Sequence, residues 1–166
     1  VAGEHATAFL DAVTSNYVRW LGDGQSQYSY LLDPDGNVID DIFIYRRAAD
    51  RYMIVVNAAN AEKDLAWLNA VNSGQYLIDR EHPDIEIEGP AIIRDLKDPS
   101  SGEDQRVDLA IQGPNSLAIL QSLTENPKLR ARLARIRRTE FIETELAGMD
   151  VIVSRTGYTG EDIAYE

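Results

Sequence analysis

Two hydrophobic periods organise the first half of the chain. From Glu4 to Thr14, Ala6, Phe9, Leu10 and Val13 recur at the spacing of one helix face, which predicts a short amphipathic helix. Beyond it, "QYSYLL", "VIDDIFIYR" and "RYMIVVN" are β-rich runs of strand length, separated by "DPDG" and "RAAD". Asp-Pro-Asp-Gly is a strong turn signal, because Pro presets φ and Gly enters the left-handed region without steric cost. The reading is an antiparallel meander. Asn60 is suited to cap a helix running to about Ser73, with Ala61, Leu65, Leu68 and Val71 on one face and Gly74 as the stop.

The pattern weakens from Asp79 to Arg106, a charged stretch with Pro83, Pro90 and Pro99 and strand-like alternation only around Ile85 to Ile93. Within it "DPSSGEDQR" reads as an exposed loop. Then "VDLAIQGP" reads as a strand ending at a turn, Pro114 to Leu123 as a helix with Pro in its first turn, and Pro127 to Ile136 as a second helix with Leu129, Leu133 and Ile136 inward. "EFIETEL", the turn "AGMD" and "VIVSR" form a hairpin leading into "TGYTGED". The expectation is an α+β fold with antiparallel sheets and flanking helices, divided into a central unit over residues 1–112 and part of an adjoining α/β unit over 113–166. The chain starts on Val1 and stops while an alternating stretch is still running, so it reads as a piece of something longer.

One strand poses a chemical problem. "GNVIDDIFIY" sets Asp40 and Asp41 among Val, Ile and Phe, where an ionised carboxylate is costly without partners. If Asp33 to Gly36 form a four-residue loop, Tyr28 lies opposite Asp41. A following three-residue loop, Ala48 to Asp50, sets Asn57 on its other side. Asp41 then shares a face with Phe43 and Tyr45 while Asp40 points away. Such a carboxylate among Tyr28, Tyr45, Phe43 and Asn57 describes a pocket for a flat heterocycle, and its burial would make Asp41 a group whose pKa is tuned. The bland reading stays open beside it, since strand aspartates also bind neighbouring backbone or line exposed edges.

Composition narrows the chemistry. With 166 residues and 44% hydrophobic content the chain can bury a substantial core. No apolar run reaches the roughly 20 residues of a membrane-spanning helix, and the N-terminus lacks the pattern of a signal peptide. Zero cysteines and two histidines far apart, His5 and His82, leave little for disulfides, metal clusters or a Ser-His-Asp triad. A net charge of -12 argues against nonspecific nucleic-acid binding, which depends on neutralising phosphate with Lys and Arg. The basic run "KLRARLARIRR", Lys128 to Arg138, suits either a solvated helix face or an acidic partner. "SRTGYTGED", Ser154 to Asp162, sets glycines around an exposed-looking Tyr158, as a tight turn near a ligand or a plain turn would.

Taken together and in order, "YSYLLDPDGNVIDDIFIY", "VVNAANAEKDLAWL", "LAIQGPNSLAIL" and "SRTGYTGED" resemble the folate-binding family of glycine-cleavage aminomethyltransferases, the T-proteins. The likeness covers most of the chain. Iron-sulfur maintenance proteins of the same fold carry a cysteine where this chain has its Tyr-Thr-Gly-Glu stretch, which sets that branch aside. The resemblance implies a folate-binding aminomethyltransferase fold, present here in part, with tetrahydrofolate bound in a three-domain cloverleaf. It implies transfer of an aminomethyl group from the lipoyl arm of H-protein to tetrahydrofolate, with release of ammonia and no metal. The family's catalytic aspartate matches Asp41, and its folate-contacting residues match Tyr28, Tyr45, Asn57, Tyr158 and Glu166. The partners implied are lipoylated H-protein and tetrahydrofolate, with no nucleic acid and no membrane. The compartment would be the cytoplasm in a bacterium or the mitochondrial matrix in a eukaryote. Two alternatives share the folate site: another tetrahydrofolate-dependent demethylase or the folate domain of a sarcosine or dimethylglycine dehydrogenase, and a non-catalytic folate-binding module. By itself the piece is expected to be inactive.

Overall fold

A computed structural model describes all residues, Val1–Glu166. The chain is α+β and divides into two compact units, Val1–Gln105 and Arg106–Glu166. The break precedes the boundary expected at residue 112, because the strand Ile111–Gln112 pairs with Ala164–Tyr165 near the end of the chain.

In the first unit, α1 (Ala6–Val13) is followed by β1 (Gln25–Leu32), β2 (Val38–Ala48) and β3 (Arg51–Val55), then α2 (Ala61–Asn72). The strands form the predicted antiparallel meander in the order β1-β2-β3. Alternation gives β2 two faces. Ile42 and Ile44 join Phe9, Leu10, Leu31, Tyr52, Leu68 and Val71 in the core, and Asp40 lies on their side of the strand. Each of the fully buried Phe9, Leu10 and Ile44 side chains contributes on the order of 2 kcal/mol of apolar burial. The opposite face carries Tyr28 and Tyr30 of β1 with Asp41, Phe43 and Tyr45 of β2.

Three local expectations need correction. Asn60 precedes α2 but makes no side-chain cap; its φ/ψ is helical and its amide is bonded elsewhere. The inward face of α2 is Asp64, Leu68 and Val71, with Leu65 only partly buried. The alternation at Ile85 to Ile93 makes no strand; Ile87 and Ile93 pack on the core as irregular chain, and Ile92 forms a single bridge with Ala2. Gly74 does end α2 at φ +71, its amide bonded to the Val71 carbonyl.

The second unit holds β4 (Ile111–Gln112), α3 (Ser116–Ser122), α4 (Pro127–Leu133), β5 (Phe141–Leu146), β6 (Met149–Ser154) and β7 (Ala164–Tyr165). Its core is Leu120, Leu133, Ile136, Ile142, Leu146, Val153 and Tyr165. Asn126 caps α4 by accepting from the Lys128 and Leu129 amides, with Pro127 in the first turn. The β5-β6 hairpin closes through Ala147 and Gly148, both at positive φ.

Candidate functional site

The outer face of β2 is built by the first hairpin. Asp33 accepts from the amides of Asp35 and Asn37, both at 2.9 Å, which lengthens the loop. A bulge follows, with Leu32 paired to Val38 but Leu31 to Asp40. Together they move the ladder two places from the expected register, so that Tyr30 faces Asp41 and Tyr28 faces Phe43. A two-residue shift leaves every side chain on its expected face. Tyr28 therefore still meets Asp41, now diagonally, and its hydroxyl donates to Asp41 Oδ2 at 3.0 Å.

Around that bond the aromatic rings stand largely edge to face. Tyr28 lies 5.3 Å from Tyr30 at 77° and 5.7 Å from Phe43 at 65°, and Phe43 lies 6.1 Å from Tyr45 at 41°. Tyr45 is buried, while Tyr28 and Tyr30 present part of their surface to solvent. The Tyr28 hydroxyl is held above its ordinary pKa, chiefly by hydrogen bonding with Tyr30, then by partial desolvation and the bond to Asp41. It stays a proton donor at neutral pH.

The burial expected for Asp41 belongs to Asp40. Asp40 is buried at 4% exposure on the core face, whereas Asp41 is exposed. Asn57, at the end of the chain leaving β3, joins the two. Its Nδ2 donates to Asp41 Oδ1 at 2.9 Å, to the Asp41 carbonyl at 3.1 Å and to Asp40 Oδ1 at 3.0 Å, and its backbone amide donates to Asp40 Oδ2 at 3.0 Å. Asn60 Nδ2 adds a bond to Asp40 Oδ1 at 2.5 Å. Burial alone would raise the Asp40 carboxyl, but the bonds from Asn57, Asn60 and Asp64 outweigh it and hold Asp40 below its ordinary value.

Behind Asp40 sits Asp64, 1% exposed, which sequence reasoning missed. Burial first, then the hydrogen bond and charge of Asp40, push it up to about 7 against the opposing charge of Lys63. The signal was available: Ala61, Asp64, Leu68 and Val71 follow helical spacing, and an acid in that series points into the core.

The structure thus brings Tyr28, Asp41 and Asn57 into one bonded group, with Tyr45 on the same sheet face. Tyr158 and Glu166 belong to the second unit. Tyr158 tops a loop at 82% exposure. That loop is tied by the Arg155 Nη2 bond to the Asp162 carbonyl at 2.7 Å and by the Thr159–Gln112 side-chain bond. At its base Gly157 is packed so closely that an added Cβ would lie 2.4 Å from the Ala164 Cβ. Glu166 extends β7: its backbone exchanges bonds with Ser154 at 2.7 and 3.1 Å, and its carboxylate accepts from Thr156. In the basic run, Arg130 Nε donates to the Gln121 and Thr124 carbonyls, while Arg132, Arg135, Arg137 and Arg138 are exposed.

No group of three or more His, Cys, Asp or Glu side chains is placed to hold a metal ion. No helix is long and apolar enough to cross a membrane. The Tyr28–Asp41–Asn57 group combines a donor hydroxyl, an accessible carboxylate and an aromatic wall. It can hydrogen-bond a flat polar ring and accept a proton from an amine.

The chain matches a family model, the GCVT N-terminal domain, over residues 1–166. It is 37% identical over 163 residues to an aminomethyltransferase of Halalkalibacterium halodurans, covering 98% of this chain and 38% of that protein. It is 38% identical over 161 residues to an aminomethyltransferase of Chloroherpeton thalassium, covering 97% and 38%. In structure it is similar to the glycine cleavage system aminomethyltransferase T from Bartonella henselae, with a TM-score of 0.66 and 29% identity over 99% of this chain and 37% of that one. The chain therefore spans well under half the length of these relatives.

Proposed function

This chain belongs to the GCVT family, and on that premise we propose that it forms the N-terminal part of a glycine-cleavage aminomethyltransferase. The reaction would move a one-carbon unit from the aminomethyl-lipoyl arm of H-protein to tetrahydrofolate and release ammonia. The observation that carries this reading is the Tyr28–Asp41–Asn57 hydrogen-bonded group beside an aromatic wall. Tetrahydrofolate, as acceptor substrate, supplies a nucleophilic amine and a flat heterocycle with neighbouring N–H donors. That donor set fits an accessible carboxylate next to tyrosine rings.

In this reading Asp41 is the catalytic group. Its carboxylate accepts a hydrogen bond from the attacking amine, takes its proton, and offsets positive charge on the one-carbon unit. Asn57 and the Tyr28 hydroxyl hold that carboxylate from two sides, so little reorientation is needed when substrate arrives. Tyr28 and Tyr45 would contact folate on the sheet face of the first unit, and the resemblance gives Tyr158 and Glu166 a folate-contacting role as well. The first unit would be the folate-binding domain and the second part of an adjoining α/β domain. With a bacterial parent, the compartment would be the cytoplasm.

The test is calorimetry of tetrahydrofolate with the full-length protein, together with ammonia release from aminomethylated H-protein. Binding with H-protein-dependent turnover supports the assignment. Binding without response to H-protein would transfer it to another folate-dependent demethylase or dehydrogenase domain, and no binding would overturn the folate reading.

A further inference from the structure

Asp64 has no part in the chemistry above, and its surroundings require an explanation. It is 1% exposed, and neither carboxylate oxygen receives a hydrogen bond from a donor group. An ionised carboxylate there would carry its desolvation cost without compensation. A protonated one is itself a donor, and Asn60, one turn earlier at the start of α2, sets its side-chain amide on Asp40 Oδ1, which brings that acceptor to the same end of the helix. Asp40 already takes bonds from the Asn57 amide nitrogens and from Asn60, so the two acids complete a network that ends at Asp41. The inward face of α2 places Asp64 there at the spacing of Leu68 and Val71, where a hydrocarbon side chain would pack without any polar cost.

We propose that Asp64 is a positioning residue: as an acid it donates to Asp40, fixes the carboxylate that orients the Asn57 amide, and through Asn57 sets the carboxylate of Asp41. The inference rests on the aminomethyl-transfer reading for what Asp41 does, while the linkage is argued from the burial of Asp64 on α2 and from the Asn57 and Asn60 bonds to Asp40. The charged and titratable groups facing it are few. Asp40 approaches from β2. On α2, the Lys63 ammonium is directed to the Ile39 carbonyl at 2.8 Å and to Asn60 Oδ1 at 3.1 Å. Asp41 and the Tyr28 hydroxyl lie on the far side of β2. Burial and the proximity of Asp40 raise Asp64 to about 7, so its proton is exchanged near neutrality. When it leaves, Asp40 loses a donor and gains a like charge. The Asn57 amide, shared between Asp40 and Asp41, is then drawn toward the buried side.

The experiment uses the full-length protein with 13C-carboxyl aspartate and 15N-labelled asparagine, wild type beside Asp64→Asn and Asp64→Leu. In wild type, the Asp64 carboxyl carbon is expected to titrate near neutrality and the Asn57 side-chain amide to move with the same midpoint. Asp64→Asn, which keeps a donor to Asp40 at every pH, should abolish that movement and hold kcat within about threefold. Asp64→Leu should lower kcat by about tenfold to a hundredfold with KM for tetrahydrofolate little changed, the loss expected from a misplaced catalytic group. An Asp64 titration in the ordinary carboxylate range would overturn the proposal, as would an Asn57 amide indifferent to it or equal losses in both variants. Should Asn57 follow Asp64 in a protein that ignores aminomethylated H-protein, the reaction assignment fails and the linkage survives.

Discussion

Replacing Asp64 by Asn should change how the stability of the first unit depends on pH. The folded-state value of Asp64 is about 7 against an ordinary 3.8. Between those values the folded chain holds a proton that the unfolded chain has released, so stability is greatest on the acid side and is lost as pH rises through the folded value. From pH 6 to pH 8 the loss amounts to roughly 1.4 kcal/mol for a single group titrating at 7. The expected change is therefore on the order of 1 kcal/mol. The α-amino group of Val1 acts in the same window with opposite sign, since burial, then Arg94 and Arg47, hold it down to about 6. The difference between wild type and Asp64→Asn cancels that contribution. Urea unfolding followed by tryptophan fluorescence is the assay, because both tryptophans, Trp20 and Trp67, lie in the first unit. Wild type should lose about 1 kcal/mol relative to the variant between pH 6 and pH 8. A difference that stays flat across that range would refute the assignment of Asp64 as a protonated buried acid.

Other expectations follow from the same contacts. Tyr28→Phe keeps the ring packing but removes the hydroxyl bonded to Asp41; turnover of the full-length protein should fall about threefold to tenfold while tetrahydrofolate affinity changes less, as read by steady-state kinetics beside calorimetry. Gly157→Ala forces a Cβ against Ala164 and should destabilise the second unit by about 1–3 kcal/mol, visible as a lowered circular-dichroism melting temperature. Leu133→Ala, at a position with 0% exposure, should cost that unit about 2–5 kcal/mol in the same measurement.

Much of the framework was legible in the sequence because each signal was local. Ala6, Phe9, Leu10 and Val13 set the buried face of α1, and the Asp-Pro-Asp-Gly turn set the first hairpin. The facing of Tyr28 toward Asp41 survived a wrong register, since Asp33 and the bulge at Leu32 displaced the ladder by an even number of residues. Burial was misjudged for a tertiary reason. Both sides of β2 look alike in sequence, and only the packing of α1 and α2 decides that Asp40, rather than Asp41, is enclosed. Asn60 resembles a helix cap, yet the competing acceptor Asp40 takes its amide. Ile85 to Ile93 alternate without a neighbouring strand to pair, so the pattern produced core contacts instead of a sheet edge.

The central claim is that Asp41 performs the chemistry on a folate held beside it. Its most direct test is single-turnover ammonia release from aminomethylated H-protein by full-length Asp41→Asn, with tetrahydrofolate binding measured on the same preparation. The account predicts a rate lower by about a hundredfold or more and a dissociation constant within about threefold of wild type. An undiminished rate with intact folate binding would contradict it.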